Sequence, residues 1–97
     1  MSDDQPELCV GAVIVDEDRL LMVRRGHGPA AGTWSVPGGR VERGETVAEA
    51  VVREVREETA VEALCGALID WVERIDDQRH LFILDFRVEL MLSLIHI

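Results

Sequence analysis

The sequence contains no lysine, asparagine or tyrosine, so every one of its 10 basic residues is an arginine. We read that as coding bias, in keeping with a GC-rich genome, and draw no chemistry from it. Cysteine is scarce too: Cys9 and Cys65 stand in apolar, strand-like settings with no C-x-x-C spacing. Thiols so placed are expected to be buried and free, which points to a reducing compartment, the cytoplasm. Aromatics make up only 4% of the chain, and positive charge is outnumbered, with 19 acidic residues leaving a formal charge of −9. Such a balance repels polyanions, so neither nucleic acid nor an anionic membrane is expected as a partner. No run approaches the roughly 18 apolar residues that a membrane span needs. Met1 to Glu7 also lacks the basic and apolar regions of a secretory signal.

What is present describes one globular domain with a modest core: 97 residues, 47% hydrophobic and 30% charged. Leu8 to Val15 is a continuous apolar run that suits a buried strand, and Gly11 inside it marks a close approach of another backbone. Asp16-Glu17-Asp18 reads as a turn, and Arg19 to Arg25 as a second strand. Arg24 and Arg25 at its end either contact phosphate or form a solvated edge. Gly26 to Gly44 holds six of the 8 glycines and two of the 3 prolines, so it is loop. Trp34 there is expected to anchor the loop on the core, with nucleobase stacking as the alternative. Glu62 to Ile75 and Arg79 to Leu90 read as a hairpin around Asp76-Asp77-Gln78. Its second strand places Phe82, Leu84, Phe86, Val88 and Leu90 on one core-facing side. His27 and His80 have no His or Cys at ligand spacing and read as ordinary polar residues.

The stretch from Gly38 to Val61 carries the chemistry. Its second half reads as a helix opening on a capping box, in which the Thr46 hydroxyl accepts from the Glu49 N–H and the Glu49 carboxylate reaches back to Thr46. At 3.6 residues per turn, Ala48, Val51, Val52, Val55 and Thr59 fall on one apolar stripe. Glu54, Glu57 and Glu58 gather beside it, at spacings that make near neighbours on a helix. A solvated acidic face is the plain reading of E-x-x-E-E. The Gly38-Gly39 pair and the cap, both in register with the carboxylates, favour another: a site for a hard divalent cation that also takes phosphate oxygens. Bare backbone at the diglycine lets the Gly38 carbonyl join that set, and Arg40 beside it is a candidate phosphate contact.

Gly39, five residues to Glu45, then seven to Arg53-Glu54-Val55-Arg56-Glu57-Glu58, resembles the signature box of the Nudix hydrolases. The resemblance implies an α/β/α sandwich around a mixed sheet. It implies hydrolysis, dependent on Mg²⁺ or Mn²⁺, of the diphosphate bond of a nucleoside diphosphate derivative such as an ADP-ribose-like compound or a (d)NTP. Glu54, Glu57, Glu58 and the Gly38 carbonyl are the implied metal ligands, Glu54 serving either as ligand or as general base. Glu45 and Arg53 are implied to brace the loop against the helix. A small-molecule nucleotide is the implied partner, and a homodimer is one oligomeric form the family takes. The competing class is a non-catalytic Nudix-like nucleotide-binding or sensor module, although such domains tend to lose the box carboxylates present here. One position departs: Ala60 stands where the family has Gly, which bears on how the helix ends and not on the ligands.

The last six residues, Leu92 to Ile97, differ in composition from the rest and resemble the translation of a transposon-end adapter used in sequencing libraries. The expected organisation is therefore a partial Nudix domain over 1–91 and a non-native tail over 92–97. A late strand and the C-terminal helix would then be missing, one sheet face uncovered, and the chain prone to aggregate.

Overall fold

A computed structural model of the chain describes residues 5–26 and 31–91. The readings of His27 and of the 92–97 tail lie outside the described residues. In chain order the elements are β1 (Glu7–Val13), β2 (Val15–Asp16), β3 (Arg19–Leu20), β4 (Val23–Arg24), β5 (Trp34–Ser35), β6 (Gly38–Arg40), α1 (Val47–Thr59), β7 (Ala63–Ile75) and β8 (His80–Leu90). Four strands form a mixed sheet in the order β6-β1-β8-β7. β1 lies parallel to β8 and antiparallel to β6, and β7 returns antiparallel to β8. The architecture is α/β with a mixed sheet, as expected. Among the described residues, no helix is long and apolar enough to cross a membrane.

β1 is central, and Cys9 to Ala12 are buried on both of its sides, which explains why the segment reads as a continuous apolar run. Val10 and Ala12 meet Phe86 and Val88 of β8 beneath Ala50, Val51 and Val55 of the helix. Val51 and Val55 are 1% and 0% exposed. Burying each stabilises the fold by roughly 1.5–3 kcal/mol.

Two expectations need correction. The buried helix face is Ala50, Val51 and Val55, whereas Ala48 is exposed and Val52 only half-buried. The helix is turned so that Glu54 and Glu58 face the diglycine strand, and Ala50, one turn before Glu54, comes inward with that edge. Arg19 to Arg25 is also not one strand. β3 pairs with β2 across Glu17 and Asp18, both at positive φ, the backbone that a tight hairpin turn demands. The Leu21 N–H then donates to the Ile14 carbonyl, and β4 changes partner to β5. The β7/β8 hairpin forms as read, with Asp76 accepting from the Gln78 and Arg79 N–H groups at its turn.

Candidate active site

The capping box forms as expected, Glu49 N–H to Thr46 Oγ1 at 3.1 Å and Thr46 N–H to Glu49 Oε1 at 2.8 Å. It fixes the start of α1 and therefore the rotation of every carboxylate that follows. Gly38 and Gly39 precede it as residues of β6, opposite Gly11 and Val10. Neither is needed for a left-handed backbone, since among the described residues the glycines at positive φ are Gly32 and Gly44. What they supply is room. A Cβ on Gly38 would run into the Val10 carbonyl oxygen, and one on Gly39 into the Glu54 carboxylate. The backbone of β6 can thus lie directly against a helix side chain.

Arg53 ties the loop to the helix. Its Nε and Nη2 grip both oxygens of Glu45 at 2.6 and 3.0 Å, and Nη2 also donates to the Arg40 carbonyl at 2.9 Å. Nη1 reaches Glu54 Oε2 at 2.8 Å and Glu57 Oε1 at 3.3 Å. The far oxygen of the loop residue is held in turn, with Glu45 Oε1 accepting from the Glu42 N–H at 3.0 Å. Bidentate Arg–carboxylate pairs fix geometry as well as charge. The Arg53 guanidinium holds the Glu45 carboxyl below the usual glutamate range.

Glu54 sits under Gly39, and Glu58 Oε2 accepts from the Gly38 N–H at 3.3 Å. Burial pushes the Glu54 carboxyl up, against the opposing pull of Arg53. Burial, with the Glu54 charge second, does the same to Glu58. Charged carboxylates crowded in this way are destabilised unless a cation joins them. Glu57 is more open and turns its Oε1 toward Arg53. Among the described residues, no three acidic, His or Cys side chains converge as a ready-made coordination set, because Arg53 draws Glu54 and Glu57 while the Gly38 N–H draws Glu58. The donor types still suit Mg²⁺ or Mn²⁺, which take carboxylate and carbonyl oxygens.

The three arginines singled out as phosphate contacts separate. Arg25 and Arg40 line a cleft of about 490 Å³ that includes Gly38 and Gly39, whereas Arg24 does not line it. Arg25 also bears electrostatically on Glu58. Arg40 is engaged by Glu7 at 3.0 Å, and Glu7 is held on its other side by Arg79, also at 3.0 Å. Trp34, expected to anchor its loop on the core, is 62% exposed.

A NUDIX domain profile matches residues 5–92. The chain belongs to the Nudix family. This Nudix domain is 45% identical over 56 residues to an ADP-ribose pyrophosphatase of Methanocaldococcus jannaschii, covering 58% of the chain and 33% of that protein. It is 38% identical over 61 residues to a CTP pyrophosphohydrolase of Escherichia coli, covering 62% of the chain and 45% of that protein. The chain thus spans less than half the length of either. Its fold superposes on a crystal structure of a MutT NUDIX hydrolase from Burkholderia pseudomallei with a TM-score of 0.83, at 34% identity, over 89% of the chain and 68% of that structure.

Two features of this Nudix domain were not read from the sequence. The Arg40 carbonyl serves as an acceptor for Arg53, which no residue pattern reveals. Asp85 lies beside Gly11 in the cleft wall. A glycine within an apolar strand and a lone carboxylate within an alternating one were the available signals, but only the strand register joins them.

Proposed function

We propose that this Nudix domain hydrolyses the diphosphate bond of a nucleoside diphosphate derivative, ADP-ribose-like or a (d)NTP, with Mg²⁺ or Mn²⁺ as cofactor. The observation that carries this reading is the placement of the Glu54 and Glu58 carboxylates against bare backbone at Gly38-Gly39, with Arg53 bracing the loop that bears it. The ADP-ribose pyrophosphatase and CTP pyrophosphohydrolase activities named for relatives support the substrate class. The free thiols of Cys9 and Cys65 fit the cytoplasm as the compartment.

Glu54, Glu57, Glu58 and the Gly38 carbonyl are the residues that hold the ion in this reading. A bound divalent cation supplies charge neutralisation at phosphorus and eases attack by water. The chain does the rest. Arg53, fixed by Glu45, occupies Glu54 Oε2 and so leaves the other oxygen of that carboxylate for a ligand or a proton. Arg25 and Arg40 stand at the cleft to meet phosphate oxygens, Arg40 by exchanging Glu7 for the substrate.

Glu57→Gln is the decisive variant, because Glu57 is open to solvent and contributes little to packing. It is expected to lower metal-dependent turnover by at least the roughly 10–100-fold that losing an outer-shell partner costs a metal site, with the fold unchanged by circular dichroism. Undiminished turnover refutes the metal assignment. Millimolar Mg²⁺ or Mn²⁺ is also expected to raise the melting temperature of the unaltered chain, since an ion bound only by the folded state stabilises it. A shift without any turnover of a nucleotide panel points instead to the nucleotide-binding module.

A further inference from the structure

β7 is the outermost strand of the mixed sheet, with β8 as its one neighbour among the described residues. Register shifts on either side of Leu68 divide it, and from Asp70 to Ile75 it runs in step with β8, residue for residue. The outer side of that regular half presents backbone donors and acceptors, the arrangement that invites another strand. Edges are commonly blunted by charge, and a row of one sign repels every copy of itself. Along this edge the signs are mixed: Asp70, Glu73 and Arg74.

Two of these charges have no counter-ion among the described residues. Asp70 stands directly across from another acid, Asp85 of β8. Burial first and the Asp70 charge second push the Asp85 carboxyl above its ordinary range. With no cation at the pair, Asp70 Oδ1 accepts from the N–H of its neighbour Trp71 at 2.7 Å. Arg74, four residues on and exposed, forms no ion pair among the described residues. Side chains alternate along a strand, so Asp70, Val72 and Arg74 share one face, the face that bears Asp85, Ile83 and Leu81 on β8.

We infer that β7 pairs edge to edge with β7 of a second copy of this chain, antiparallel and centred on Val72, so that two four-stranded sheets join into one. A two-fold axis perpendicular to the sheet sets each residue opposite the one equally far beyond its centre. Centred on Val72, Asp70 lies opposite Arg74 of the second copy, and Arg74 opposite its Asp70, so the charges match twice on one face. The arginine thereby reaches the acid pair of Asp70 and Asp85. Every other centre in the regular half matches fewer charges. Centring on Asp70, Glu73 or Arg74 sets that charge against itself, centring on Trp71 puts Arg74 opposite Leu68, and centring on Ile75 puts Glu73 opposite Asp77. The pairing uses the backbone of the edge and leaves the faces of the ribbon open. It does not depend on the hydrolytic reading.

The test is sedimentation equilibrium on the purified chain from micromolar to millimolar concentration, where a reversible monomer–dimer equilibrium is expected. Arg74→Asp and Asp70→Arg each set like charges opposite one another in both halves of the pairing. Each is expected to weaken dimerisation about tenfold or more, since like charges directly across a strand pair destabilise it. The double exchange, Asp70→Arg with Arg74→Asp, is expected to restore it. The two single variants move the formal charge of −9 in opposite directions, so an effect of net charge on non-specific association would strengthen one and weaken the other. Circular dichroism checks that these exposed substitutions leave the fold intact. Arg74→Gln, which removes attraction without adding repulsion, is expected to weaken the dimer by less and serves where a reversal does not fold. A monomer at every concentration, association that passes beyond the dimer and ignores the reversals, or a double exchange that stays as weak as the single variants overturns the inference.

Discussion

The loop and helix from Gly38 to Ala60 and the β7/β8 ribbon are near-equal in length and opposite in construction. In the first, nearly every charged side chain has a named partner: Arg53 alone holds Glu45, Glu54, Glu57 and the Arg40 carbonyl. In the second, the strands pair from Ala63–Leu90 to Ile75–His80 with register shifts on either side of Leu68, yet Leu64, Leu68, Ile69, Trp71 and Ile75 remain exposed, Ile75 at 70%. Only a Trp71–Phe82 edge-to-face contact, centroids 5.6 Å apart, gives that end of the ribbon aromatic packing. Polar interlocking needs a few side chains at fixed spacings, whereas an apolar sheet face needs a whole second surface. Within the described residues the first requirement is met and the second is met only where α1 covers the sheet. From the exposed ribbon, light scattering on a purified sample is expected to register aggregation.

Substitutions sharpen this contrast. The largest stability loss is expected from Arg53→Ala, which strands the shielded carboxylates of Glu45 and Glu54, at 15% and 14% side-chain exposure. Unfolding in urea should register on the order of 2 kcal/mol, the cost of leaving charged groups without their donor. The same variant should alter the acid limb of stability. Glu45 has a lowered folded pKa, so its contribution is full above the ordinary glutamate value of 4.5 and fades as pH falls through the folded value. Arg53→Ala removes that fade. Glu54 and Glu58 have the opposite sign: their raised values impose a cost above the folded pKa that is relieved as pH falls.

Thr46→Ala comes next and should cost about 1 kcal/mol, since it removes the hydroxyl that caps the Glu49 N–H. Ala60→Gly should go the other way. Ala60 closes the helix in the left-handed region at φ 63°, its N–H donating to the Arg56 carbonyl at 2.8 Å. A side chain there costs about 1 kcal/mol that glycine returns, less the extra freedom glycine has when unfolded. The smallest effect belongs to the ribbon: Ile75→Ser should change stability by no more than about 0.5 kcal/mol while reducing aggregation. A loss well beyond that would mean the ribbon is packed in solution and would erase the contrast.

The helix start was legible because a capping box acts within four residues, and the carboxylate edge followed from helical geometry alone. The β7/β8 hairpin was legible because alternation is a local pattern with a two-residue period. The facing of the helix was not: Ala48 and Ala50 are equally apolar, and only the fit of Glu54 under Gly39 chose between them. Nor was the division of Arg19 to Arg25, where strand pairing with Trp34–Ser35 competes with continuation along β3.

By itself the sequence determined that one helix would begin at Thr46, that three glutamates would share its edge beside two glycines, and that the chain would carry a strong negative charge. Those are consequences of spacing and composition, which the covalent chain fixes. Only the tertiary structure decided that Arg53 would also hold the Arg40 carbonyl, that Arg25 would enter the cleft while Arg24 would not, and that Asp85 would stand beside Gly11. Contacts between residues far apart in the chain depend on strand register and helix rotation, and these are set by packing the whole sheet at once.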